Sequence, residues 1–277
     1  MPASIDALTS ATLKHLREAW WDDAFTEFLA ETLAPRPGNR ILDVGCGEGL
    51  AEVEIGRQHI SQLRLFGIDL IPSKVVAARQ ETLSHNQRVG FAAADARRLP
   101  FKDRCFDSIY SVAVLQHIDE LERAVSEFAR VTVPRGRVVA VEPDNTARYG
   151  FSSTDAGRRA FELSAQFFIA LAAARTDRVP VGPNLPALFA RYGIEPTLVR
   201  LFPVSQTFLG PPASSVWQAR RAAVEAALRG APSDAAAWLG REYLDVLTAY
   251  EREANAAGPS FVEIQNTMLF ATVGQKA

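Results

Sequence analysis

Hydrophobic and polar positions along the chain follow two alternating periods. Short apolar runs, typical of buried parallel strands, are followed by stretches in which apolar residues recur every three or four positions, the spacing of helices that cover a sheet. This alternation predicts an α/β fold with a doubly wound, mostly parallel sheet of seven strands. The predicted strands lie near 40–44, 64–68, 89–93, 106–112 and 137–141, and a closing hairpin lies at 197–204 and 261–273.

Helical patterns exceed what such a sheet needs. We expect three regions: an N-terminal helical segment (1–37), a ligand-binding core (38–145), and a region (146–277) that completes the sheet and carries helical insertions. The surplus helices predict a cap over the ligand edge, although they could instead pack on the sheet. The predicted helices are at 5–34, 74–83, 153–175, 214–229 and 233–256, with one starting at Asp119 and one between Pro186 and Gly193.

The turn after the first strand carries the most specific motif. It reads Leu-Asp-Val-Gly-Cys-Gly-Glu-Gly at 42–49. Glycines at 45, 47 and 49 allow a tight turn into a helix, and they let a ligand approach bare backbone N–H groups. The spacing departs from the dinucleotide fingerprint, whose third glycine would fall at Leu50.

Three acidic residues follow three successive strands: Asp43, Asp69 and Asp95. The carboxyl ends of parallel strands meet at the ligand-binding edge of an open sheet, so we expect these carboxylates to converge, although each could merely cap a helix. A carboxylate at Asp43 would repel a pyrophosphate and attract an ammonium group. Asp69 is placed to bind a ribose diol, and Asp95 an adenine amino group. The pattern favours an adenosyl amino acid over NAD.

Together these motifs resemble the class I S-adenosylmethionine-dependent methyltransferases, in the small-molecule branch typified by ubiquinone and menaquinone methyltransferases. The resemblance covers about residues 38–143 and includes Ala-Ala-Asp-Ala-Arg-Arg-Leu-Pro-Phe at 93–101 and Val-Leu-Gln-His-Ile at 114–118. It implies a Rossmann-like fold and S-adenosyl-L-methionine as the cofactor. The cofactor-binding residues that it implies are Asp43, Gly45, Cys46, Gly47, Asp69, Leu70, Asp95, Ala96, Val112 and His117.

Methyl transfer from a sulfonium mainly needs alignment of acceptor and methyl group, so we expect few catalytic side chains. His117 is the candidate general base, because an imidazole titrates near neutral pH and can take a proton from a phenol, thiol or amine. A structural or helix-capping role is its alternative, and core packing is the alternative for paired tryptophans. The candidate acceptor-binding residues are Trp20, Trp21, Glu142 and Tyr149.

Composition narrows the function further. A net charge of −2 over 277 residues predicts no nucleic-acid partner, and the longest apolar run predicts no membrane span. Two cysteines without a disulfide pattern favour the cytoplasm, and the histidines lack metal-ligand spacing, so we expect no metal. We expect methyl transfer to a small aromatic or heterocyclic metabolite, at oxygen or nitrogen. The alternatives are a protein or RNA methyltransferase, and a fold relative that binds the cofactor without methyl transfer; the oligomeric state is not indicated.

Overall fold

The computed structural model describes residues 20–33, 35–57, 63–144, 148–173 and 180–277. The chain divides into two compact units, which we call the core unit and the helical unit. The predicted N-terminal helix lies outside the described residues except for its last part, which forms α1. The core unit comprises Trp21–Pro143, Val181–Phe202 and Leu269–Ala277, and the helical unit comprises Met1–Trp20, Asp144–Pro180 and Pro203–Met268.

The order of elements confirms the predicted α/β alternation. Each of the five predicted central strands is present, and the predicted hairpin corresponds to the last two strands, β7 and β8. In chain order the described helices and strands are α1 (Asp23–Leu33), β1 (Arg40–Val44), α2 (Leu50–Arg57), β2 (Arg64–Asp69), α3 (Pro72–Ser84), β3 (Val89–Ala93), β4 (Phe106–Val112), α4 (Leu121–Val131), β5 (Thr132–Asp144), β6 (Gly150–Ser152), α5 (Asp155–Ala173), α6 (Val181–Arg191), β7 (Ile194–Leu209), α7 (Ser214–Leu228), α8 (Asp234–Ala257) and β8 (Val262–Lys276).

The centre of the sheet is parallel and runs in the order β3-β2-β1-β4-β5. β8 follows β5, and β7 pairs with β8. In the register, Asp43 lies between Gly67 of β2 and Tyr110 of β4, and Gly67 lies beside Phe91 of β3. Because side chains at register partners stand on the same face of a sheet, these four positions form one row.

Burial explains why the core strands are apolar nearly throughout. Ile41, Leu42, Val44, Ile109 and Val139 are fully buried, as expected for strands covered on both faces. A short 3-10 turn, Leu115–His117, follows β4 and leads towards α4. The carboxyl ends of β1, β2 and β4 therefore carry turns that the buried strands hold in place.

The helical unit has its own core. α8 packs against α5 and α7, around the buried aromatic residues Phe167, Trp217, Tyr250 and Phe261. Glu263 of β8 is fully buried, and it accepts hydrogen bonds from Arg220 and from the Tyr250 hydroxyl. No helix among the described residues is long and apolar enough to cross a membrane.

The structure corrects three details. The sheet has eight strands among the described residues, one more than expected, because the three-residue β6 pairs antiparallel with β8.

The other two details concern helix starts. α6 begins at Val181 and contains Pro186, since buried Leu185 and Phe189 hold this segment against the core despite the proline. α4 starts at Leu121 without a side-chain cap, because Glu120 pairs with arginines instead.

Candidate functional site

The glycine loop after β1 is held to the end of β2 by its own backbone. The N–H groups of Gly45 and Cys46 both donate to the carbonyl of Ile68, at 2.7 and 2.9 Å. All three glycines have positive φ angles (87°, 55° and 87° for Gly45, Gly47 and Gly49), a region that favours glycine. The predicted turn between strand and helix is therefore present, and its conformation explains the three glycines.

The three glycines differ in what surrounds them. A Cβ on Gly45 would lie 2.2 Å from Cγ2 of Val114, and a Cβ on Gly49 would lie 3.0 Å from the backbone of Ala78. At Gly47, in contrast, no described atom lies within 4 Å of the Cβ position. Two glycines thus allow close packing of neighbouring segments, and the middle one presents its backbone to open space.

Asp69 ties the loop to β2. Its carboxylate accepts hydrogen bonds from the N–H of Gly47 at 3.1 Å and from the N–H of Ile71 at 2.9 Å. Leu70, between them, is 66% exposed. The predicted ribose-binding carboxylate therefore lies beside the open face of Gly47, with an uncovered apolar side chain next to it.

Asp43 is buried beneath the loop. Its burial raises the pKa of the carboxyl to about 8; the nearby Tyr110 hydroxyl lowers that pKa and Asp69 raises it. The Tyr110 hydroxyl makes no hydrogen bond of normal geometry with any described residue. Burial also raises the pKa of the Cys46 thiol, with a further contribution from Glu52. An uncharged Asp43 at neutral pH differs from the ionised carboxylate that the ammonium hypothesis assumes.

Glu52 of α2 enters the same region. Its side chain is fully buried, and neither oxygen has a hydrogen-bond partner among the described residues. Gly67 leaves the space for it, since a Cβ there would lie 2.5 Å from its Oε1. Burial, and then the charge of Asp43, raise the pKa of the Glu52 carboxyl well above its usual value. Two acids thus share a buried space in which both cannot be ionised at low cost.

Asp95 follows β3, as the sequence indicates. Arg97 donates to both carboxylate oxygens at 2.7–3.1 Å, and its side chain holds the pKa of Asp95 below the usual value. Arg97 also pairs with Glu120 at 3.1 Å in an open polar groove. Ala96, between Asp95 and Arg97 in the chain, is half-buried against the core. The carboxylate assigned to adenine is therefore already engaged by an exposed arginine.

The end of β4 is fixed by a carboxylate. Past Val112, the N–H groups of Val114, Leu115 and Gln116 donate to the fully buried Glu142 of β5 at 2.9, 2.8 and 3.2 Å. His117 closes this turn, with its N–H donating to the carbonyl of Val114 at 2.9 Å and its side chain exposed. The residues predicted near the methyl group lie at the same edge as the glycine loop.

A family model described as "Methyltransferase domain" matches residues 42–140, from the third residue of β1 into β5. The match includes the glycine loop, Asp69, Asp95 and the Val114–His117 turn. Residues 42–140 are a class I methyltransferase domain. The predicted S-adenosylmethionine-dependent methyltransferase core is thereby confirmed.

Curated methyltransferases are similar to about half of this chain. An O-methyltransferase of Aspergillus nomiae, rstn1, is 30% identical over 149 residues, which are 49% of this chain and 65% of that protein. The 27-O-demethylrifamycin SV methyltransferase of Amycolatopsis mediterranei is 30% identical over 148 residues, 49% of this chain and 54% of that protein. The chain thus spans less than two thirds of the length of these curated relatives.

A solved structure supports the fold. The phosphoethanolamine N-methyltransferase 2 of Haemonchus contortus, determined with phosphomonomethylethanolamine and S-adenosylhomocysteine, has a TM-score of 0.53. It is 15% identical, and the match covers 99% of this chain and 60% of that one. At this identity the likeness concerns the Rossmann-like fold of the methyltransferase domain and not its acceptor.

The predicted acceptor-binding residues lie in different parts of the chain. Glu142 lies two residues beyond the matched domain, near the end of β5, and accepts hydrogen bonds from three backbone N–H groups. Trp21 packs edge-to-face on Phe25 with ring centroids 5.1 Å apart. Trp20 and Tyr149 belong to the helical unit; Trp20 is half-buried, and Tyr149 is 57% exposed. Their contact with an acceptor stays a prediction.

Three residues of the methyltransferase domain belong to the site but were not predicted from the sequence. Val114 covers Gly45, Tyr110 lies beside Asp43, and Glu52 lies below the loop. Glu52 could have been recognised, because it is an acid at a position of α2 where the helical pattern predicts a buried apolar side chain. No three His, Cys, Asp or Glu side chains of the described residues group as metal ligands.

Proposed function

We propose that this chain transfers a methyl group from S-adenosyl-L-methionine to an oxygen or nitrogen of a small aromatic or heterocyclic metabolite. The observation that carries the proposal is the open backbone of Gly47 beside the Asp69 carboxylate, inside the matched methyltransferase domain. The chain's relatives named above include O-methyltransferases. Their acceptors are proposals for this chain, because it spans only part of each.

The residues at this edge fit the proposed cofactor. Gly45, Cys46 and Gly47 would lie along its methionyl part, and Asp69 would bind the ribose hydroxyls. Asp43 would face the ammonium group, whose positive charge would lower the raised pKa of this carboxyl and favour its ionised form. The room at Gly47 and the exposed side chain of Leu70 support this assignment, since an adenosyl group needs an uncovered apolar surface. The sulfonium of the cofactor supplies an already activated methyl carbon.

Asp95 and Ala96 would hold the adenine ring, with the backbone near Val112 completing the site. Asp95 would keep a hydrogen bond from Arg97 and accept a second one from the adenine amino group. This is possible because two carboxylate oxygens offer about four acceptor positions. We therefore expect the Arg97 side chain, which lies in an open groove, to shift when adenine binds.

The domain's own residues would contribute mainly alignment. Bringing an acceptor and a methyl group into line can supply on the order of 7–11 kcal/mol of the barrier. His117, exposed at the end of the turn after β4, is the proposed general base for an acceptor that enters protonated. Its replacement by glutamine should abolish the rise of rate with pH near neutrality, measured at saturating cofactor.

The acceptor side belongs to the parts of the chain outside the matched domain. We propose that residues 1–37 and the helical insertions within 146–277 provide the acceptor-binding surface, with Trp20, Trp21 and Tyr149 as candidates. Cytoplasmic location is proposed because Cys46 and Cys105 are both free.

Incubation with methyl-labelled S-adenosylmethionine and a cell metabolite extract tests the function. We expect label in a small molecule, and none with Gly47→Val, whose side chain would fill the open backbone face. The matched control is Gly258→Val, outside the domain, where the glycine has nearly the same positive φ (53°) and no described atom lies within 4 Å of the Cβ position, so that it carries the same backbone strain. Label in protein or RNA would favour the macromolecular alternative, and cofactor binding without transfer to any acceptor would favour the non-transferring relative.

A further inference from the structure

Glu142 is the most completely engaged buried acid of the core unit. It lies near the end of β5, is fully buried, and accepts from three consecutive backbone N–H groups, those of Val114, Leu115 and Gln116. Two of these bonds, at 2.9 and 2.8 Å, end on the same oxygen, Oε1. Bonds from N–H groups to a charged carboxylate are about twice as strong as neutral ones.

The turn that Glu142 binds would otherwise be poorly fixed. Ala113, just before it, has a φ of 57°, a region that alanine rarely adopts, and its N–H donates to the carbonyl of Val141 at 2.8 Å. The turn itself is a single 3-10 segment, Leu115–His117, with one buried anchor, Leu115. The backbone of β5 and the Glu142 side chain thus hold consecutive parts of the chain that leaves β4.

The Val114–His117 turn contacts the glycine loop and limits its conformation. Val114 packs so closely on Gly45 that any Cβ there would lie 2.2 Å from Cγ2 and 2.7 Å from Cγ1 of the valine. The N–H of Val114 is also one of the three that Glu142 accepts. A displacement of this turn therefore removes the side chain that limits Gly45, at the start of the loop whose middle residue is open.

We propose that Glu142 is a positioning residue that fixes the glycine loop, and with it the cofactor-binding conformation, through the Val114–His117 turn. This inference rests on the proposed function for its ligand, but its structural step does not. The length and the charge of the side chain both matter. An amide at this position would set one NH2 group against backbone donors, and an aspartate would be one methylene shorter.

Two measurements on the whole chain test this role, namely calorimetric titration with S-adenosylhomocysteine and amide hydrogen exchange without ligand. For Glu142→Gln we expect at least about tenfold weaker binding of S-adenosylhomocysteine. We also expect faster exchange at residues 114–116 and, beyond them, at residues 45–49. Glu81→Gln, an exposed glutamate on α3, is the matched control and should change neither.

The outcomes separate the inference from the proposed function. If the wild type does not bind S-adenosylhomocysteine, the proposed function fails, and faster exchange at 45–49 in Glu142→Gln would still support the positioning role. Exchange confined to 114–116, with binding within twofold of wild type, would overturn it. If the glutamine variant does not fold, Glu142→Asp keeps the charge and should show a smaller change of the same kind; wild-type behaviour of that variant in both measurements would also overturn the proposal.

Discussion

Two buried glutamates of the core unit differ in how their carboxyl groups are hydrogen-bonded. Glu142 and Glu52 are both fully buried, yet Glu142 accepts three backbone N–H groups while neither oxygen of Glu52 has a partner among the described residues. Burial alone therefore does not define what an acid does. A carboxylate surrounded by donors can stay charged and organise the backbone, whereas a carboxyl without donors is driven to its neutral form.

The sheet explains the difference. Glu142 lies near the carboxyl end of β5, where three consecutive N–H groups of the chain leaving β4 donate to it. Glu52 lies on α2 against the middle of the sheet, where strand N–H groups already bond to neighbouring strands and Gly67 leaves only space. The titratable side chain that adds to the rise of its pKa is another acid, Asp43.

Removing the Glu142 side chain should produce the largest effect. Glu142→Ala leaves three backbone N–H groups without their acceptor, and we expect the free energy of unfolding to fall by about 3 kcal/mol. Urea denaturation at pH 7 measures this change. A loss below about 1 kcal/mol would mean that water or neighbouring groups replace the carboxylate, and the contrast with Glu52 would disappear.

The pH dependence of stability should be the next largest effect. Burial raises the pKa of Asp43 to about 8 and that of Glu52 well above its usual value, so the folded chain keeps protons that the unfolded chain releases above about pH 4. The free energy of unfolding should therefore fall as pH rises from about 4 to 8, with a slope of about 1.4 kcal/mol per pH unit for each acid that stays protonated in the folded chain.

A matched variant assigns this pH dependence. Glu52→Gln removes one of the two acids without changing its shape, and it should make the curve of unfolding free energy against pH flatter. Glu122→Gln, on the exposed side of α4, should leave the curve as in wild type. A wild-type curve that rises between pH 5 and 7 would show that the two buried acids are ionised in the folded chain.

Replacing Glu52 by an apolar side chain should have the smallest effect. Glu52→Met keeps the volume and removes a polar group without partners, so we expect the free energy of unfolding at pH 7 to stay the same or rise by about 1 kcal/mol. The measurement is again urea denaturation, beside Glu142→Met. Comparable losses in both variants would show that Glu52 has a structural partner.

Much of the fold could be predicted because the parallel strands are apolar on both faces and their ends carry glycines and acids. The glycine loop and Asp69 were predicted from their own residues and lie where expected. Glu142 was expected to contact the acceptor, and its bonds to the turn after β4 could not be read from the sequence, since they join residues about 27 positions apart. The Asp95–Arg97 pair could not be predicted, because spacing along the chain does not show which carboxylate an arginine side chain reaches.

The start of α6 shows another limit. Proline usually opens a helix, so the sequence indicated a helix after Pro186, but α6 begins five residues earlier. Leu185 is fully buried in the same apolar cluster as Phe128 and Val138, and this packing outweighs the missing N–H of the proline. Such tertiary contacts are not visible in local spacing.

Binding of the cofactor at the glycine loop and Asp69 is measured by calorimetric titration with S-adenosylhomocysteine. Wild type and the control Asp245→Asn, altered at an exposed aspartate of α8, should bind it, and Asp69→Asn should bind at least tenfold more weakly, because the ribose loses a charged acceptor. NADH should give no heat of binding in any of the three. Binding of NADH by the wild type, or equal affinity of S-adenosylhomocysteine for wild type and Asp69→Asn, would contradict the account.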